Sequence, residues 1–456
     1  MKSMVALMSL MALVAAPKLS TADLDAQSRA RIIAGIETEM NANYVFPDVA
    51  KKCASHLQAE LKAGKYDSID SPGIFAEALS QALRSISKDK HIRVRYYPER
   101  VEVQRDDPRL ARQQELDSMR RSNYGFESVE HLEGNIGYLD LRAFSDPTLG
   151  RETAAAAMGF LANSEAIIFD VRRNGGGSPE MVQFICSYLF EERTHLNSLY
   201  FRASDRTEDF WTLDQLPGKR MPDVPVYVLT SQYTFSAAEE FSYNLQTQGR
   251  ATLIGETTGG GANPGGTIPI GDGFMMFLPT GRAINPITGT NWEGVGVKPD
   301  IEVASSKALE KAIADARDAI RDFREYKAEE QAILLDEIAE ALNAADDSFK
   351  AGDAQEGTQW IESALELGLE YALYDGQSID ALGSEFIDSG SLTTGIAVKQ
   401  YNLDVHQDSP EAWFSLGEAY IEGEESGLAL SAFQGCLNLN PKHQGALSMI
   451  EQLTGN

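Results

Sequence analysis

The sequence predicts an α/β core that lies between two helical regions. Strand and helix patterns alternate from residue 132 to residue 305, whereas only helical patterns occur between Ala30 and Ile86 and again over 306–456. Strands that interleave with helices are typical of a buried, largely parallel sheet with helices on its faces. At 456 residues the chain is long enough for two or three domains.

The first 22 residues have the pattern of a signal peptide. Lys2 precedes an apolar run over 4–16, and residues 20–22 are the small residues that a signal peptidase requires. The run is shorter than the ~20 residues that span a bilayer, which disfavours the alternative of a membrane anchor. We therefore expect residues 1–22 to be removed and the protein to be exported, periplasmic or secreted, with no membrane span.

The composition disfavours several classes of function. The formal net charge of −28 argues against nucleic-acid binding, because a basic face is needed to contact phosphates. None of the six histidines stands at zinc-ligand spacing from another histidine or a cysteine, so we expect no metal and no cofactor. The three cysteines, Cys53, Cys186 and Cys436, are far apart and odd in number, which predicts buried thiols rather than a disulfide framework.

Residues 23–98 are predicted to form a small helical bundle. Three stretches show apolar residues at three- and four-residue spacing, separated by Pro47 and Pro72. The short turn "KDKH" then leads into "IRVRYYP", which alternates as a strand. Residues 99–131 are highly charged and have no clear period, so we expect an exposed connection.

The core, residues 132–305, begins with the strand "GNIGYLDL". The elements predicted after it are the helix 151–163, the strand 166–171, the helix 179–192, the strand 224–230, a helix opened by Ser236 and the strand 251–256. Gly-rich turns follow the strand ends, where α/β folds usually build their sites.

The C-terminal region, 306–456, is predicted to be entirely helical. A long amphipathic helix covers 307–345, and the residues after it match the 34-residue template of a tetratricopeptide repeat. The matching residues are Trp413, Leu416, Gly417, Tyr420, Ala429, Phe433 and Pro441. A poorer copy contains Leu382, Gly383 and Phe386, and a third helical pair is possible around 344–368. Generic helical hairpins are the alternative interpretation.

Ser236 has two compatible interpretations. In "SQYTFSAAEEF", Ser236 and Glu239 form a capping box, in which the serine hydroxyl accepts from the N3 amide and the glutamate accepts from the cap amide. A serine at a strand-to-helix turn is also a common position for a nucleophile, because free amides at the helix start can hold a developing oxyanion. Ser236 is therefore a candidate catalytic residue.

Two glycine-rich loops accompany Ser236. The loop "DVRRNGGG", Asp170 to Gly177, leaves backbone amides accessible, as an oxyanion hole requires, although an ordinary tight turn explains it equally well. The loop "GETTGGGANPGG", 255–266, lacks the GK[ST] of a phosphate loop and does not fit GxGxxG, so nucleotide binding is disfavoured. We expect Gly259, Gly260 and Gly261 to border a substrate groove.

The stretches "TFSAAEEF", "RATLIGETTGGGANPG", "DVRRNGGG" and "GTNWEGVGVKPDI" resemble the tail-specific (C-terminal-processing) serine peptidases. Within them, the chain is most similar to the branch that includes interphotoreceptor retinoid-binding protein modules and is related to the tricorn core protease. The resemblance runs from about residue 25 to residue 305. It implies a crotonase-like ββα-spiral peptidase core preceded by a helical bundle, and no PDZ insert fits the short stretch before "NIGYLDL".

The resemblance also implies the catalytic residues. The processing peptidases use a lysine 25 residues after the serine, but this chain has Gly261 there and no lysine from Arg220 to Val297. The tricorn-like branch instead uses a histidine from the segment before the core and a downstream glutamate, which His91 and Glu293 match. Imidazole suits the role of base and then acid, and a carboxylate on its far nitrogen fixes the tautomer.

The implied triad is Ser236, His91 and Glu293. The implied oxyanion donors are the amides of Ala237 and of either Gly175 or Gly176. The leading hypothesis is an exported serine endopeptidase that binds a peptide or unfolded protein and forms an acyl-enzyme. The alternatives are a non-catalytic module for a hydrophobic ligand, and a scaffold whose tetratricopeptide region binds a protein partner.

Overall fold

The computed structural model describes residues 24–97 and 108–455, so the expected signal peptide lies outside the described residues. Contacts divide the chain into two units, Met1–Phe323 and Arg324–Asn456. The division falls inside one long helix, Ser305–Ala351, and not at the expected boundary after residue 305. In the two described ranges, no helix combines the length and apolar character that crossing a bilayer demands.

A six-stranded sheet forms the centre of the first unit. In pairing order its strands are β12 (Ile301–Glu302), β8 (Thr252–Gly255), β7 (Val226–Thr230), β4 (Ala166–Asp170), β3 (Ile136–Leu141) and β2 (Phe126–Leu132). All neighbours are parallel except β2, which runs antiparallel to β3. Strands β3, β4 and β7 are buried along their whole length, which explains their continuous apolar sequences. The predicted α/β layer is confirmed.

Helices cover both faces of this sheet. The helices α5 (Pro147–Leu161), α6 (Pro179–Cys186) and α7 (Ala237–Thr247) enclose one core with side chains such as Phe169. On the opposite face, alanines of the helix α8 (Ser305–Ala351) pack on residues such as Ile168. The predicted helix 179–192 is shorter than expected, because a 3₁₀ turn follows at Ser187–Leu189.

The expectation of an exposed connection over 99–131 is wrong for its second part. Helix α4 (Pro108–Arg121) precedes strand β2, which pairs with β3 as an edge strand. Phe126 of this strand is buried, but Glu127 and Glu130 face solvent. A charged solvent face is usual for an edge strand, and here it hides the alternating pattern in the sequence.

The N-terminal helices are α1 (Ala26–Asn43), α2 (Pro47–Lys62) and α3 (Pro72–Ser87), as predicted. Strand β1 (Arg93–Tyr96) pairs with β10 (Phe274–Pro279), which pairs in turn with β9 (Gly265–Gly271). The three helices and this sheet share one hydrophobic core, so the hairpin from the peptidase-like region completes the bundle. This packing places the segment before β1, with His91, against the glycine-rich loop 255–266.

A second three-stranded sheet in the first unit has the order β11 (Gly281–Ile284), β5 (His195–Phe201) and β6 (Arg206–Trp211). These strands, like β9 and β10, were not among the predicted elements. The three cysteines are free and buried, which confirms the expectation of buried thiols.

The second unit is helical, as predicted. After the end of α8 it contains α9 (Ala354–Glu370), α10 (Gly376–Asp388), α11 (Leu392–Val405), α12 (Pro410–Glu422), α13 (Ser426–Leu439) and α14 (Gln444–Thr454). Gly417 lets α12 approach α13, because a Cβ atom there would lie 2.5 Å from Phe433 Cε1. Such close packing of consecutive helices is compatible with a tetratricopeptide repeat, which stays a prediction.

Candidate active site

Ser236 stands at the turn between β7 and α7. Its backbone has φ 55° and ψ −122°, a sparsely populated conformation for a residue with a side chain. The turn is held in place by Thr234, whose hydroxyl donates to the Val171 carbonyl at 2.8 Å. Ser236 begins the helix, as predicted, and its amide donates to Glu239 Oε2 at 2.8 Å. Local strain of this kind is often found at functional residues.

The loop after β4 lies directly against Ser236. A Cβ atom on Gly176, which has φ +105°, would lie 2.7 Å from Ser236 Cβ and 2.9 Å from the Ala237 nitrogen, so only glycine permits this approach. Gly176 is buried and its amide donates to Asn174 Oδ1 at 2.8 Å. Gly175 is exposed, and within the described residues its amide and that of Ala237 have no hydrogen-bond partner. Of the two candidate glycines, the free donor is therefore Gly175.

Glu239 ties the nucleophile turn to the loop 255–266. Besides the Ser236 amide, its buried carboxylate accepts from the amides of Gly260 at 2.6 Å and Gly261 at 2.8 Å, and from the Thr258 hydroxyl. Gly259 donates its amide to the Thr234 carbonyl at 2.9 Å. The amides of the three glycines thus support the turn, and their role at a substrate groove stays a prediction.

His91 occupies the space beside Gly261. A Cβ atom on Gly261 would lie 2.7 Å from His91 Cε1 and 2.2 Å from Phe235 Cζ, so a side chain at this position would collide with both rings. The His91 ring lies 4.6 Å from that of Phe235, the residue before Ser236, and 5.5 Å from that of Phe277. No hydrogen bond joins His91 to Ser236 among the described residues. Contacts of this type often tighten only when substrate binds.

The structure brings His91 and Glu293 together, and it adds Asp89. One ring nitrogen of His91 and one carboxylate oxygen of each acid lie within 4.8 Å of one another. His91 Nδ1 is 3.9 Å from Asp89 Oδ1. Glu293 Oε2 accepts from the Ala262 amide at 2.6 Å, whereas Glu293 Oε1 and His91 Nδ1 are buried without a hydrogen-bond partner. The cluster therefore contains two buried polar atoms of complementary type that have no hydrogen-bond partner in the described structure.

Burial controls the protonation of this cluster. It lowers the pKa of His91 to about 4, with a further contribution from the charge of Arg93. Burial and, second to it, the charge of Asp89 raise the pKa of Glu293 to about 7. Burial also raises the pKa of Asp89. At neutral pH the imidazole is neutral, which is the state that a general base requires.

Asp89 is the site residue that sequence reasoning missed. Its Oδ1 accepts from the main-chain amide of His91, two residues later, at 3.0 Å. Aspartate often accepts from a backbone amide two residues on, so the spacing in "KDKH" was an available signal. In the described ranges, these three side chains are also the one group of His, Cys, Asp or Glu that converges enough to hold a metal ion.

Two stretches of the chain match models of known protein families. Residues 135–303 match the model of Peptidase family S41, and residues 22–124 match the N-terminal domain of Peptidase_S41 in eukaryotic IRBP. A carboxy-terminal-processing protease of Bartonella bacilliformis is 27% identical over 177 residues, 38% of this chain and 39% of that protein. The carboxy-terminal processing protease CtpB of Bacillus subtilis is 27% identical over 182 residues, 39% of this chain and 36% of that protein.

The matched region thus spans less than two fifths of the length of either relative. Among solved structures, the photosystem II D1 C-terminal processing protease gives a TM-score of 0.40 at 13% identity, over 61% of this chain and 94% of that one. A similarity of this size carries no argument about the site. By these matches residues 135–303 are similar to Peptidase family S41, and residues 22–124 are similar to the N-terminal domain of Peptidase_S41 in eukaryotic IRBP.

Proposed function

We propose that the chain is a serine endopeptidase in which Ser236 is the nucleophile, His91 the general base and Glu293 the carboxylate that orients it. The observation that carries the proposal is that the cluster of His91 and Glu293 holds two buried, unpartnered atoms, His91 Nδ1 and Glu293 Oε1. Unsatisfied buried polar atoms are costly and therefore rare in folded proteins. A proton on Nδ1 would satisfy both atoms and direct the other ring nitrogen, Nε2, to the serine.

In the first step, Ser236 Oγ attacks the carbonyl carbon of the substrate peptide bond and His91 Nε2 accepts the hydroxyl proton. Glu293 stabilises the imidazolium that forms, because one of its carboxylate oxygens lies within 4.8 Å of a ring nitrogen of His91. The negative charge that develops on the carbonyl oxygen is stabilised by the amides of Ala237 and Gly175, which have no other partner in the described structure. His91 then donates the proton to the leaving amine, and the peptide C–N bond breaks.

In the second step, water hydrolyses the acyl-enzyme. His91 accepts a proton from the water, the new oxyanion uses the same two amides, and collapse of the intermediate returns the proton to Ser236 Oγ. The reaction consumes one water and needs no metal or cofactor.

Several finer features belong to the same proposal. The α/β core is of the crotonase-like ββα-spiral kind, in the branch related to the tricorn core protease and the retinoid-binding protein modules. The protein is exported after loss of residues 1–22, and its substrates are peptides or unfolded proteins. The helices after 324 form tetratricopeptide-like repeats that bind a protein partner. The support for these features is the sequence pattern described above.

The test is digestion of casein by the protein beginning at Asp23, with the products identified by mass spectrometry, combined with labelling by a fluorophosphonate probe. We expect cleavage and labelling at Ser236 in the wild type, and a loss of at least about 10⁴-fold in Ser236→Ala and His91→Ala. Matched controls are Ser204→Ala, on an exposed turn, and His56→Ala, on helix α2, which should retain wild-type rates. Cleavage that persists in Ser236→Ala contradicts the mechanism. Absence of both cleavage and labelling in the wild type favours the binding-module alternative.

A further inference from the structure

Asp89 is almost completely buried, with 1% of its surface exposed, and every donor it contacts is uncharged. Its Oδ2 accepts from the Tyr44 hydroxyl at 3.2 Å and from Asn263 Nδ2 at 2.9 Å, and its Oδ1 accepts from the His91 amide. A carboxylate that accepts several hydrogen bonds is stabilised in its ionised form. Burial raises the pKa of Asp89, and these donors oppose that rise by favouring its negative charge.

Glu293 accepts fewer hydrogen bonds than Asp89 does. It accepts from the backbone at Ala262, and its Oε1 has no donor. Neither Glu293 nor Asp89 forms an ion pair with a lysine or arginine in the described part of the chain, and the nearby Lys90 donates instead to the Gly259 carbonyl. Two carboxylates within 4.8 Å of each other in a buried site repel when both are ionised.

We propose that Asp89 is a positioning residue that carries the resting negative charge of this cluster and thereby sets the pH at which Glu293 ionises and completes the triad. This inference rests on the proposed function for its effect on catalysis. The groups that face the cluster are few: Glu239 faces Glu293, Tyr44 and Cys53 face Asp89, and Arg93 faces His91. Among the charged groups around Glu293, Asp89 raises the pKa of Glu293 most, ahead of Glu239.

Asp89 also fixes the base itself. Its bond to the His91 amide holds the turn "KDKH" in one conformation, while its bond to Asn263 connects that turn to the loop 255–266. The ring of His91 is therefore placed by a carboxylate other than the one that orients its tautomer. In this arrangement Glu293 stabilises the imidazolium of His91, and Asp89 acts through Glu293 and the backbone.

The first experiment measures the rate of fluorophosphonate labelling of Ser236 against pH for the wild type, Asp89→Asn and Tyr44→Phe. Asparagine keeps an acceptor for the His91 amide but removes the charge, so the acid limb should move from near pH 7 to lower pH by at least about one unit. Tyr44→Phe removes a hydrogen bond to the same carboxylate but no charge, and its acid limb should stay at the wild-type position. An acid limb that Asp89→Asn leaves in place overturns the proposal.

The second experiment does not depend on activity. A double-mutant cycle of Asp89→Asn and Glu293→Gln compares thermal unfolding midpoints at pH 8. We expect Glu293→Gln to raise the midpoint of the wild type and to raise that of Asp89→Asn by a much smaller amount. Equal increases in both backgrounds overturn the charge coupling. If the wild type is never labelled at Ser236, the proposed peptidase function fails, and this cycle alone decides whether Asp89 and Glu293 are coupled.

Discussion

Glu239, which is buried, and Glu293, which is half-buried, both contact the glycine-rich loop 255–266, and their surroundings differ. Glu239 accepts hydrogen bonds from three backbone amides and one hydroxyl, so both of its oxygens are satisfied. Glu293 accepts from the backbone only through Oε2, and its Oε1 is buried with no donor. Burial raises the pKa of both carboxyl groups.

In the proposed mechanism this difference separates a structural carboxylate, Glu239, from a catalytic one, Glu293. A buried group with all its partners stabilises one conformation, and here that conformation is the turn that carries Ser236. A buried group that lacks a partner stores free energy that another group can use, and here His91 Nδ1, in the same cluster, is also without a partner among the described residues. Substitutions at the two glutamates should therefore affect different properties.

The largest expected effect is on the activity of Glu293→Gln. The substitution keeps the shape of the side chain but removes the charge that stabilises the imidazolium of His91, so we expect kcat to fall by about 10⁴-fold. The measurement is the rate of peptide cleavage by the purified variant, with Glu127→Gln on the exposed face of β2 as the control. A decrease of less than tenfold would show that Glu293 does not orient the base.

The next effect is on stability, at Glu239. Glu239→Ala leaves the amides of Ser236, Gly260 and Gly261 buried without an acceptor, and we expect the free energy of unfolding to fall by roughly 4 kcal/mol. Urea unfolding of the variant measures this change. The exposed control Glu127→Ala should stay within about 0.5 kcal/mol of the wild type. If Glu239→Ala were as stable as Glu127→Ala, Glu239 would not have the structural role that distinguishes it from Glu293.

The smallest effect is the pH dependence of stability at Glu293. Because its pKa is raised from 4.5 to about 7 in the folded state, the fold favours the protonated form. This contribution to stability is complete below pH 4.5 and is lost as the pH rises through about 7. A glutamine side chain at this position would mimic the protonated form at every pH.

The stability of Glu293→Gln relative to the wild type should therefore increase by roughly 2–3 kcal/mol between pH 5 and pH 8. Thermal unfolding at the two pH values measures the difference. The same comparison for Glu127→Gln provides the baseline for an exposed glutamate. A constant difference between pH 5 and pH 8 would mean that Glu293 is not desolvated in the folded protein.

Patterns within short stretches predicted much of the fold. The strands around Ile168 and Val228 are continuous apolar runs, and the start of helix α7 at Ser236 has its own capping signal. Strand β2 was missed because one of its faces is charged and exposed. The strands of the hairpin 265–279 were missed because their role is to close a core with the N-terminal helices, which are distant in the sequence.

The residues of the candidate site also divide into those that short motifs predicted and those that only the structure identified. Ser236, His91 and Glu293 were identified through motifs, and their neighbours Gly175 and Gly176 could not be distinguished until the loop was seen against the helix start. Asp89 was not identified as a site residue. Its importance depends on contacts with Tyr44 and Asn263, which lie far from it in the sequence.

By itself the sequence determined the buried parallel strands, where helix α7 begins and which residue types are available for acyl transfer, because these depend on neighbours along the chain. Only the tertiary structure decided that His91 takes the space beside Gly261, that Gly176 is engaged while Gly175 is free, and that Asp89 stands beside Glu293. It also decided the protonation of the site. Desolvation and charge repulsion depend on groups that meet only when the N-terminal helices, the hairpin and the sheet pack together.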